Sequence, residues 1–211
     1  MNAAPANTGP LAGIRILDCT IWQNGPFATV MLSDMGAEVI KVEDRNTGDP
    51  GRGFIDAGAA NGVSGYFEAM NRGKRSITLD LKAPDGLALF QRLAAQVDVV
   101  VQNFRHGVAE KLKIAYADLL PHNPRLIYAS ATGFGREGPD ATMGVFDILG
   151  QARSGVLQAL RAPGDPVEYN NAFGLADQTG GILLAQAVTA ALFARECTGQ
   201  GQEVEVSQLG A

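Results

Sequence analysis

The chain has 211 residues, 46% apolar and 18% charged, enough for one sizeable core. A net charge of −5 and a pI near 5.0 exclude the basic surface that nucleic acids and anionic membranes attract, so any phosphate site must be local. Cys19 and Cys197 stand in no CxxC or CxxH spacing, which excludes a disulfide framework and a zinc site and suits a reducing cytoplasm.

Residues 1–10 are small and polar and read as a flexible N-terminus, without the charged-then-apolar layout of a secretory signal. Residues 14–18 predict a strand, 26–35 a helix with Pro26 in its first turn and Gly36 at its end, and 37–43 the next strand, a βαβ unit. Residues 44–70 are glycine-rich and aperiodic and predict a long excursion at a ligand-binding edge. A second block follows, with 74–79 extended, 84–95 helical and 97–101 a strand apolar enough to be central. Residues 125–132 and 203–206 predict two more strands. This alternation predicts an α/β, Rossmann-like fold, a largely parallel sheet with helices on both faces.

Ligands of open parallel sheets bind beyond the carboxyl ends of the strands. The predicted loops there are Trp22-Gln23-Asn24-Gly25-Pro26, Glu43-Asp44-Arg45-Asn46, Gln102-Asn103-Phe104-Arg105-His106-Gly107 and Gly133-Phe134-Gly135-Arg136-Glu137-Gly138. One polar loop is ordinary. Four on one rim point to a ligand edge. The last matches G-x-G-x-x-G, but Pro139, Asp140 and Met143-Gly144 predict a loop where a dinucleotide fingerprint needs a helix, so a glycine-rich flap is expected. His106 and His122 are too few and too separated for a metal centre or triad, and no G-x-S-x-G occurs.

Residues 178–195 predict a long helix, apolar nearly all round and therefore buried. Its most apolar part, 180–194, is interrupted by Gln186 and Thr189 and is shorter than the ~20 residues that span a bilayer. Asp177 stands at its start, in Gly174-Leu175-Ala176-Asp177. Two readings apply. Asp is a common N-cap. It is equally a carboxylate nucleophile beside backbone N–H groups that would stabilise an oxyanion, with Gly174, Gly180 and Gly181 leaving room for a ligand. The segment alone favours the cap; the rest of the chain shifts the balance.

Several blocks in order resemble the class III CoA-transferases, a family that includes formyl-CoA and carnitine CoA-transferases and acyl-CoA racemases. They begin with Pro10-Leu11-Ala12-Gly13-Ile14-Arg15-Ile16-Leu17-Asp18 and Gly36-Ala37-Glu38-Val39-Ile40-Lys41-Val42-Glu43. Asn71-Arg72-Gly73-Lys74-Arg75-Ser76-Ile77-Thr78-Leu79-Asp80-Leu81-Lys82 and Asp98-Val99-Val100-Val101-Gln102-Asn103-Phe104 follow. Gly174-Leu175-Ala176-Asp177 and Thr198-Gly199-Gln200-Gly201-Gln202 close the match.

The resemblance implies that Asp177 is the nucleophile, forming a mixed anhydride with an acyl-CoA and then an enzyme–CoA thioester that a small acceptor carboxylate reopens. It places Gln23 and Asp147 at the active site. It places Leu79, Asp80, Lys82, Asn103, Phe104, Arg105 and Lys111 against CoA; Asp44 stands where members carry an arginine, leaving Arg45 as its substitute. Racemases carry a histidine at the position of Phe146, which cannot exchange a proton, so transferase chemistry is favoured. Acyl-CoA is then a substrate, and no metal or permanently bound cofactor is expected. The resemblance also implies that residues 11–211 are the N-terminal part of the family's large domain, without its small domain and C-terminal return. A homodimer, interlocked in the family, or a complementing chain is the implied partner, with neither nucleic acid nor membrane. The rival expectations are a non-catalytic CoA-binding or dimerisation fragment and a chain that does not fold alone.

Overall fold

The computed structural model of the chain describes residues 8–54, 64–166 and 174–211. Short runs rich in β-branched residues form six strands: β1 (Arg15–Asp18), β2 (Glu38–Asp44), β3 (Arg75–Leu79), β4 (Val99–Gln102), β5 (Ile127–Thr132) and β6 (Gln202–Ser207). All neighbouring pairs are parallel, in the order β3-β2-β1-β4-β5-β6. The first helices in the sequence are α1 (Asn24–Asp34), α2 (Gly65–Asn71), α3 (Pro84–Ala94) and α4 (Val108–Lys111). The others are α5 (Tyr116–Leu119), α6 (Asp147–Arg153), α7 (Val156–Ala159) and α8 (Leu175–Thr198).

Side chains alternate across the sheet and build two cores. Ile16, Val39, Val99, Val101, Ile127 and Ala129 pack with Ala28 and Leu32 of α1 and with Leu184, Val188 and Leu192 of α8. On the opposite face Leu17, Val42, Val100 and Tyr128 pack with Phe90 and Ala94 of α3, Ala109 of α4 and Leu119 of α5. Central β4, Val-Val-Val-Gln, is buried at every position, as a strand covered on both faces must be. The predicted architecture, with helices on both faces, is the one observed.

Two expectations are corrected. The long helix is apolar all round but buried on one side only. Gly180, Leu184, Val188 and Leu192 face α1 and the sheet, whereas Ile182 is 51% and Phe193 74% exposed. Apolar periodicity alone does not say how many sides a neighbour covers. Second, α8 starts at Leu175 rather than 178, because the cap that opens it comes from elsewhere in the chain. The excursion expected over 44–70 carries local structure of its own. It holds a 3₁₀ turn (Pro50–Gly53) and then α2, whose Ser64 Oγ accepts the N–H of Phe67 at 3.4 Å; residues 55–63 lie outside the described residues.

Candidate active site

The strand order reverses between β1 and β4, so the loops leaving these two strands diverge and open a crevice at their carboxyl ends. Asn103 ties the loops together. Its Nδ2 donates to Ile21 O at 2.7 Å and its Oδ1 accepts Ile21 N–H at 2.9 Å. The next residue, Trp22, has φ +66°, a left-handed conformation that non-glycine residues rarely hold without outside support. Support comes from Asp49, whose Oδ1 accepts Trp22 N–H at 3.2 Å while its Oδ2 pairs with Lys41 Nζ at 2.8 Å. Lys41 Nζ also donates to Thr20 O at 2.6 Å.

Below this loop Asp18 is fully buried and accepts Thr29 Oγ1 at 2.7 Å and Lys74 Nζ at 2.9 Å. Burial alone would raise its carboxyl. The Lys74 and Lys41 charges and the Thr20 and Thr29 hydroxyls outweigh that and hold it at about 2. Lys74 Nζ reaches Pro26 O at 3.1 Å and Asn71 Oδ1 at 3.0 Å, so one ammonium joins β1, α1 and α2.

Across the crevice, the N-terminus of α8 is capped by Asp147. Its Oδ1 accepts the N–H groups of Ala176 and Asp177 at 2.8 and 3.0 Å, and its Oδ2 accepts Gly174 N–H at 3.1 Å and Gln151 Nε2 at 2.6 Å. The cap reading of Asp177 is therefore corrected. Asp177 is the third residue of the helix, and its carboxylate is released from the duty that another acid performs. Gly174, the N-cap position, has φ +84°, and a Cβ there would stand 2.0 Å from Gln23 Nε2. The glycine thus lets the buried Gln23 amide lie directly against the start of α8.

The Asp177 side chain accepts a hydrogen bond from Gln208 Nε2 at the end of β6. Burial first, and the Asp147 charge second, push its carboxyl up to about 7 against the lowering effect of that bond. Such a group is shared between its two protonation states near neutrality, as groups at functional sites often are.

Asp177 opens onto a cleft of about 360 Å³. Gln23, Asn103, Phe104 and Arg105 line it, as do Trp22, His106 and Gln208. The structure therefore brings together Asp177, Gln23, Asn103, Phe104 and Arg105, with Asp147 behind the first of them. Asn103, expected against CoA, spends both ends of its amide on Ile21 and shapes the loop. Arg45 follows β2 and Leu79, Asp80 and Lys82 end or follow β3, on the same rim but outside this cleft; Arg45 and Lys82 are exposed. Lys111, exposed on α4, does not line the cleft. No helix opens at Gly133, where a Cβ would meet Val145 Cγ1 at 2.3 Å; that glycine serves a close fold-back, as expected of a loop and not of a dinucleotide turn. Among the described residues no cluster of acids, histidines and cysteines could hold a metal ion, and no helix is long and apolar enough to cross a membrane.

Gln208 escaped the reading of the sequence. It stands just past predicted strand 203–206, at the carboxyl end where ligands bind, and that position was its signal.

A sequence profile described as CoA-transferase family III matches residues 11–211. Acetyl-CoA:oxalate CoA-transferase from Acetobacter aceti is 40% identical over 199 residues, 94% of this chain and 51% of that protein. Succinate–glutarate CoA-transferase from Agrobacterium fabrum is 40% identical over 215 residues, 99% of this chain and 53% of that one. A crystal structure of a CAIB/BAIF family protein from Brucella suis superposes with a TM-score of 0.88 at 36% identity, covering 95% of this chain and 53% of the other. The chain spans about half the length of the curated relatives it matches.

Proposed function

Because the chain belongs to CoA-transferase family III, we propose that it moves coenzyme A between an acyl-CoA and a small carboxylic acid, with Asp177 as the covalent nucleophile. The observation that carries this reading is the division of labour at the start of α8. Asp147 satisfies the helix N–H groups, which leaves the Asp177 carboxylate facing the cleft at the switch point of the sheet.

In this reading Asp177 attacks the thioester carbonyl and expels the CoA thiolate, giving a mixed anhydride. The thiolate then attacks the aspartyl carbonyl and releases the first acid, leaving CoA on Asp177. An acceptor carboxylate reverses these steps. Each step exchanges one activated acyl bond for another, so covalent catalysis replaces one difficult transfer with several easier ones. Gln23, held against Gly174, lies beside the reacting group as a polar neighbour. Arg105, together with Arg45, Lys82 and Lys111 along the rim, is assigned to the phosphate-bearing part of CoA, which needs cations the acidic chain carries only locally. Phe146, 63% exposed with its ring against Trp22, offers no proton, which supports transfer over racemisation. The rest of the acceptor site is assigned to sequence outside these 211 residues, in a longer chain, a second copy or a complementing chain, and the setting to the cytoplasm.

The test is chemical trapping. The protein incubated with an acyl-CoA and quenched with hydroxylamine is expected to carry a hydroxamate at Asp177 by peptide mass spectrometry, and Asp177→Asn none. A wild-type Asp177 that stays unmodified with acyl-CoA bound would sink the reading.

A further inference from the structure

One oxygen of the Asp177 carboxylate is already taken. Gln208 Nε2 donates to Oδ1. Gln208 is 7% exposed and fixed by its backbone, since its N–H donates to Thr132 O at 2.9 Å and the next N–H, of Leu209, donates to Gly133 O at 3.0 Å. Among the described residues its second amide atom, Oε1, is buried without a hydrogen-bond partner. An unpaired buried carbonyl costs stability, and an apolar side chain of similar volume would fill the same space without that cost. The fold thus gains little from a glutamine here. The benefit lies in the bond to Asp177.

Resting on the assignment of Asp177 as nucleophile, we propose that Gln208 is a catalytic residue: its Nε2–H selects Oδ2 as the attacking oxygen and stabilises the oxyanion that forms at Oδ1. When Oδ2 attacks an acyl-CoA, the Oδ2–C bond forms, the C–S bond breaks and the thiolate leaves with the electron pair. When the thiolate then attacks Cγ of Asp177, the Cγ–S bond forms and the carbonyl π pair moves onto Oδ1. Collapse breaks the Cγ–Oδ2 bond, and the departing carboxylate takes Oδ2 with it. No proton is transferred in either step. Attack by the acceptor carboxylate on Cγ places the charge on Oδ1 again and expels the thiolate. Oδ1 therefore never leaves the enzyme in this half of the cycle. In the free carboxylate its charge is shared with Oδ2; in the tetrahedral species it is concentrated on Oδ1, so the Gln208 bond strengthens towards the transition state.

The experiment pairs a rate with a spectroscopic signal. Gln208→Met keeps the volume and removes the donor; Gln208→Asn keeps an amide but withdraws it by one methylene. Both are expected to slow formation of the Asp177–CoA thioester about 10²–10³-fold with acyl-CoA affinity and melting temperature retained. Thioester formation at the wild-type rate in a folded Gln208→Met protein would overturn the proposal. Wild-type protein carries an independent readout, the side-chain amide resonances of Gln208, expected to titrate with Asp177 and to be pH-invariant in Asp177→Asn. Among the described residues, Asp147 of α6 and Tyr66 of α2 also interact electrostatically with Asp177, and variants of each separate their contributions. Amide signals blind to the loss of Asp177 would also overturn the proposal. If wild type forms no thioester while those signals follow Asp177, the nucleophile assignment fails and takes the catalytic role with it, leaving only the observed hydrogen bond.

Discussion

At Asp177 the chain holds a carboxyl group in a setting that disfavours its charge. Its native value of about 7 lies well above the ordinary 3.8 that the unfolded chain would show. Between these values the unfolded state has lost its proton and the native state has kept it. Stability therefore falls as pH rises from about 4 to about 7, and stays lowered above that. Asp177→Asn is expected to abolish this slope, matching wild type near pH 4 and exceeding it at pH 8 by about 2–4 kcal/mol. Urea unfolding at the two pH values checks it. An acid that weakens its own fold when ionised is better explained by chemistry than by structure.

Among the elements, α8 depends on Asp147, an acid 27 to 30 residues before the N–H groups it caps. Asp147→Ala strips an acceptor from three backbone N–H groups and is expected to cost about 2 kcal/mol, at the upper end of cap effects. Asp147→Asn retains an acceptor and loses the charge, so it is expected to destabilise less and to lower the Asp177 titration below about 7, read by carbon-13 resonances of the aspartate carboxyls. The strands were legible in the sequence because their apolar runs are short and bounded by turn residues. The true start of α8 was not, since no local signal ties Phe146-Asp147-Ile148 to Gly174-Leu175-Ala176. Asp177 itself could be picked out, yet that another acid caps the helix was decided by tertiary contacts. Gln208 was overlooked for a related reason: one residue past a strand, it gains its meaning only once β6 lies beside β5.

For the whole molecule, the order β3-β2-β1-β4-β5-β6 places the crevice at β1 and β4, and an ionic network stiffens the side formed by β1, β2 and β3. Asp18 pairs with Lys74, Lys41 with Asp49, and Glu43 with Arg52, whose guanidinium donates through Nε and Nη2 at 2.8 and 2.7 Å. Lys74→Met would leave Asp18 buried with less compensation and is expected to cost about 3–5 kcal/mol. Asp18, held at about 2, adds stability above its unfolded value near 3.8 that is lost as pH falls towards 2. The variant should therefore unfold at a higher pH in acid titrations followed by circular dichroism. Alternating strands and helices announced this architecture, but the pairing of charges distant in sequence carried no comparable pattern.

The same network governs Trp22, the chain's only tryptophan. Its ring stands edge-on to Phe54 at 5.7 Å and to Phe146 at 6.0 Å, within the cleft wall and on a backbone held left-handed by Asp49. The molecule thus carries one native indole fluorophore, and its emission, free of any second tryptophan signal, is a local light source for the chamber that Asp177 faces.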